Sequence, residues 1–71
     1  MTFDEALKKM PPCLEPNLDP LRHTSLKELL SMVEFELSLY EEGEPETDIR
    51  NGRQAAAVRS YISGLTEAIE A

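Results

Sequence analysis

The chain has 71 residues and a mass of 8.0 kDa, with fourteen acids against seven bases, a formal charge of −7 and a pI near 4.5. Such a charge repels phosphate backbones and excludes ordinary nucleic-acid binding, while 41% hydrophobic residues make the chain too apolar for a disordered acidic tail. A chain this short buries only about 60% of the surface its unfolded form exposes, and with one cysteine and one histidine it can form neither an internal disulfide nor a Cys/His zinc site, so self-association or docking on a partner is the expected supplement.

The sequence predicts a single helical domain over 1–71 whose first element is a short helix over 1–10. Thr2 and Glu5 have capping-box spacing, in which side chains satisfy backbone groups left over at a helix start. Phe3, Ala6, Leu7 and Met10 share one face, and Asp4–Lys8 and Glu5–Lys9 are favourable i,i+4 pairs. Asp4 and Glu5 stand where a secretory leader would be basic and then apolar. No run approaches the roughly 18 apolar residues of a membrane span. The expected setting is reduced and cytoplasmic, with no membrane contact.

Pro11 and Pro12 end that helix. Four of the five prolines lie between residues 11 and 20, which predicts an extended, Pro-rich strap over 11–24. Leu14, Leu18 and Leu21 are spaced to seat it on an apolar surface.

A longer helix is expected over 25–42. Ser25 and Glu28 repeat the capping spacing, and Gly43 suits the left-handed residue after a helix end. Leu26, Leu30, Val33, Leu37 and Tyr40 alternate steps of four and three, the seam of a helix packed lengthwise on another, and Leu29 widens it. At 3.6 residues per turn, Met32, Phe35 and Leu39 form a second apolar patch about 130° away. A helix with two apolar faces needs two covers.

Residues 43–47 read as a turn and 48–70 as the last helix, in which Ala55, Val58, Ile62, Leu65 and Ile69 recur at steps of three and four beside Tyr61. Ala57, Gly64 and Ala68 make a small-residue edge that admits a close backbone. Asn51-Gly52 is the weak point; if it breaks the helix, the regular part begins near Arg53. A short loop between two helices favours antiparallel neighbours. The predicted fold is therefore all-α, an antiparallel helical hairpin with the N-terminal helix and strap folded on it, pairing with a second copy into a four-helix bundle dimer.

The charge belongs to one segment. Residues 1–27 carry four acids and four bases, residues 28–48 eight acids and no base, and residues 49–71 three bases and two acids. Glu41, Glu42, Glu44, Glu46 and Asp48 have only fragments of a calcium-loop pattern, interrupted by Pro45, and read as a solvated turn. Arg50, Arg53 and Arg59 do not converge on a helix and read as partners for acids, Glu46 with Arg50 among them. His23, beside a helix cap with no oriented nucleophile, reads as a cap or surface residue. Cys13, without cationic neighbours on its C-terminal side, reads as a small hydrophobe in the strap rather than a reactive thiolate. No catalytic residue, metal ligand or cofactor site is expected.

The remaining features point to protein binding. The candidate interface comprises Met32, Phe35, Leu39, Ala57, Tyr61 and Gly64, with Glu34, Glu36, Glu41 and Glu42 as an acidic rim. Three covers compete for the Met32/Phe35/Leu39 patch: the N-terminal helix and strap, a second protomer, or a different protein. The expected function is that of a non-enzymatic, self-associating acidic protein that binds another protein as an adaptor or inhibitor, a role common among accessory proteins of phages and mobile elements. Two alternatives stand beside it: an acidic nucleic-acid mimic that blocks a DNA- or RNA-binding protein, and a small structural subunit of a larger assembly.

Overall fold

The first helix, α1 (Phe3–Lys9), starts where its cap requires. Thr2 Oγ1 accepts the Glu5 backbone N–H at 3.2 Å and donates to the Glu5 carboxylate at 3.4 Å. The chain is described here by a computed structural model over residues 2–17 and 25–70; Leu18, Leu21 and His23 of the expected strap lie outside those residues.

In the described part of the strap, residues 11–17, the backbone does not run extended as predicted. Residues Pro12–Asn17 form a short 3-10 helix, and the Leu14 N–H donates to the Pro11 carbonyl at 3.0 Å. A proline φ near −65° is as compatible with a 3-10 turn as with an extended strand. Burial decides between them here, because the tight turn drives Leu14 into the core at 1% exposure.

Helix α2 (Leu26–Glu41) is capped by Ser25, whose Oγ accepts the Glu28 N–H at 3.2 Å. It closes on Gly43, at φ +78°. The Gly43 N–H donates to the Tyr40 carbonyl at 3.0 Å and the Glu44 N–H to the Leu39 carbonyl at 2.9 Å, the paired bonds of a Schellman motif. The last helix, α3 (Gly52–Glu70), begins at residue 52 rather than 48. Asn51 is the reason: its Oδ1 accepts the Gln54 N–H at 3.0 Å, while Gln54 Oε1 accepts the Arg50 N–H at 2.6 Å. This reciprocal cap consumes the backbone groups that a longer helix would have used. Glu46 and Arg50 therefore precede the helix, and the predicted i,i+4 alignment between them does not arise.

Helices α2 and α3 pack against each other, and the chain's own N-terminal segment supplies the third side of the core. Ala6, Met10 and Leu14 are buried with Leu29 and Val33 of α2, Ile49 of the connection, and Ala55, Val58, Tyr61 and Leu65 of α3. The Tyr61 hydroxyl donates to the Ala6 carbonyl at 2.5 Å, tying α1 to α3 across 55 positions of sequence. The radius of gyration is 11.4 Å, close to the roughly 11 Å expected of a compact chain of this length. A closed core is thus reached within one chain. Among the described residues there is no strand, and no helix is long and apolar enough to cross a membrane.

Candidate protein interface

The buried line of α2 is Leu29, Val33 and Glu36, rotated from the seam that leucine spacing suggests. Leu26, Leu30, Leu37 and Tyr40 flank it, partly buried. What turns the helix is the connection between α2 and α3, which folds back over it. Thr47, 4% exposed, donates its hydroxyl to the Glu36 carboxylate at 3.0 Å, and the Asp48 N–H donates to the same oxygen at 2.9 Å. The Ile49 N–H then donates to Thr47 Oγ1 at 3.2 Å, seating Ile49 in the core.

Glu36 is therefore not part of an acidic rim. At 9% exposure it anchors the connection, because a carboxylate placed between core residues is tolerated only where donors meet it. The sequence signal was available in outline: Glu36 falls on the same turn-to-turn line as Leu29, Val33 and Tyr40. Its donors come from an irregular segment whose path no periodicity reveals.

Tyr61 is corrected as well. It is 8% exposed, covered by α1 through the bond to Ala6, and burial pushes its phenol up to about 12 from an ordinary value of 10. Ala57 and Gly64 lie beside it along a shallow apolar groove whose far wall is Met10, Pro11 and Pro12. The small-residue edge of α3 thus faces the chain's own N-terminal turn.

Cys13 is half-buried, and burial pushes its thiol up, with the carboxylates of Asp48 and Glu36 adding to the rise. A raised pKa keeps the sulfur as thiol and poorly nucleophilic. Among the described residues no group of three or more His, Cys, Asp or Glu side chains is arranged to hold a metal ion.

The α2 patch behaves differently. Phe35 is 60% exposed and Met32 39%, with Leu39 partly buried beside them. Neither Phe35 nor Met32 belongs to the core cluster that α1, α2 and α3 share. Of the expected rim, Glu34, Glu41 and Glu42 are exposed. Arg59 of α3 reaches Glu41 at 3.4 Å, with both side chains more than half exposed, so that pair contributes little to stability. The expected interface therefore divides into two parts. One is an outward apolar face on α2 bordered by carboxylates; the other is an α3 edge on which Tyr61 is buried, while Ala57 is exposed and Gly64 partly so along the shallow groove.

No protein-family model, curated protein or solved structure matches the chain.

Proposed function

We propose that the protein is a non-enzymatic helical module that acts by binding another protein through the outward face of α2, as an adaptor or inhibitor. The observation that carries this reading is Phe35, a large aromatic side chain 60% exposed on a well-capped helix whose opposite face is already used by the core. Exposed aromatic anchors next to polar rims are where binding energy concentrates in protein interfaces, and methionine beside them adapts to the shape of a partner. The carboxylates of Glu34 and Glu42 suit a rim that steers association and selects partners. Pairing of two hairpins into a four-helix bundle is the rival use of the same face.

Nucleic-acid mimicry gains no support, because it needs the acids in one exposed row and Glu36 is withdrawn into the core. The two mechanisms separate by mutation and salt. In quantitative affinity capture from the native host, Phe35→Asp is expected to abolish recovery of bound protein, whereas Glu41→Lys and higher salt reduce it modestly. The reverse order, with recovery collapsing in salt and on Glu41→Lys while Phe35→Asp is tolerated, would replace anchoring by mimicry.

A further inference from the structure

We propose that the Met32–Phe35 face of α2 docks an amphipathic helix whose apolar anchors are bordered by lysine or arginine, and not a second copy of this chain. The proposal rests on the protein-binding reading above and names the chemistry of the occupant.

The shape of the patch points to a helix. Met32, Phe35 and Leu39 are three and four residues apart, so they form a ridge running about 10 Å along the α2 axis. A partner helix laid lengthwise presents grooves with the same spacing. The ridge has no backbone donors or acceptors to offer an extended strand, since those of α2 are used within the helix.

The charge distinguishes the two candidate occupants. Glu42, seven residues from Phe35, lies nearly in line with it and about 10 Å along the axis. Glu34 is exposed on the neighbouring flank, and Glu44 and Glu46 are exposed just beyond the helix end. Lys27 is the one base within α2, and residues 28–48 contain none. A dimer of ordinary size takes about 800 Å² from each partner, a disc reaching about 16 Å from its centre. That is roughly a sixth of this molecule's 4728 Å². Centred on Phe35, it unavoidably takes in Glu34 and Glu42 from both copies; among the described residues, Lys27 lies about 12 Å away towards the start of α2 and Arg59 is already paired with Glu41. Like charges brought together across an interface cost affinity and suppress wrong partners. A helix with cationic flanks meets the same carboxylates as complementary charge, and its narrower footprint leaves the turn acids in solvent.

The test is selection from a display library of randomised-face helical peptides on the intact protein, with counter-selection on Phe35→Ser, which keeps every charge and lies at an exposed position. Enriched peptides are expected to carry apolar residues at three- and four-residue steps bordered by Lys or Arg. A synthesised winner should bind on the order of 30-fold more weakly to Phe35→Ser and roughly tenfold more weakly to Glu42→Lys. Sedimentation of the free protein is run in parallel. Phe35-dependent winners with neutral or acidic flanks would overturn this proposal and leave the protein-binding reading standing. A dimer of the free protein that Phe35→Ser converts to monomer would overturn it in favour of a second copy. A monomer with no Phe35-dependent winner would remove both readings together.

Discussion

Two glutamates on α2, two residues apart, hold opposite positions in this molecule. Glu34 is exposed, whereas Glu36 is buried and accepts both the Thr47 hydroxyl and the Asp48 N–H. Removing the Glu36 carboxylate leaves the Asp48 N–H without its acceptor, leaves the Thr47 hydroxyl only the longer bond of 3.4 Å to the backbone carbonyl of residue 36, and opens a gap beneath the connection. Each buried donor left unsatisfied costs about 1–3 kcal/mol, while an exposed substitution changes stability by less than about 0.5 kcal/mol. Glu36→Ala is expected to lower the free energy of unfolding by about 2 kcal/mol in urea titration, against little change for Glu34→Ala. Equal effects would mean that the connection does not depend on Glu36. Composition could not separate these residues, since both belong to the same acidic run. Periodicity placed Glu36 near the seam, yet only the folded path of Thr47 to Ile49 explains why a carboxylate sits there.

At the level of elements, local chemistry was readable where it depends on near neighbours. Thr2, Ser25 and Gly43 each act at the helix ends where their spacing or conformational freedom placed them. Asn51 with Gln54 has the same three-residue spacing as Thr2 with Glu5, so the start of α3 was also legible, although the Asn51-Gly52 pair draws attention as a breaker rather than a cap. The 3-10 helix after Pro11 was not legible, because proline fixes φ and leaves ψ to be decided by burial of Leu14. The end of α2 breaks a local rule. Its last turn has no base, and Glu41, Glu42 and Glu44 cluster where the helix dipole is negative, an arrangement that disfavours carboxylates by about 0.3–1 kcal/mol each. Local rules are broken most often where function requires it. Glu42→Lys is accordingly expected to raise the urea midpoint, by about 0.5 kcal/mol in stability, even as it weakens binding to a basic helix. A variant neither more stable nor weaker in binding would leave these acids without a role in recognition.

For the whole molecule, the decisive contact joins its two ends. The all-α class follows from helical periodicity, but the cover of α3 required long-range packing: α1 and the 3-10 helix bring Ala6, Met10 and Leu14 onto Tyr61 and its neighbours, so a core expected to need a second protomer closes within one chain. Tyr61 also makes that closure sensitive to alkali. Its phenol loses a proton near 10 when unfolded and near 12 when folded. Below pH 10 both states keep the proton and the contact is fully present. Between those values the unfolded state alone is ionised, so stability falls as pH rises, by at most about 2–3 kcal/mol at the upper end. Tyr61→Phe removes the bond to Ala6, costing about 1 kcal/mol near neutrality, but also removes the ionisation. The wild-type advantage over Tyr61→Phe should therefore be clear at about pH 8 and shrink or reverse by about pH 11 when both are unfolded in urea. Every other titratable group is common to both proteins, and the comparison cancels it. A constant gap across that range would show that Tyr61 ionises as freely in the folded protein as in the unfolded chain, and that α1 does not shield it.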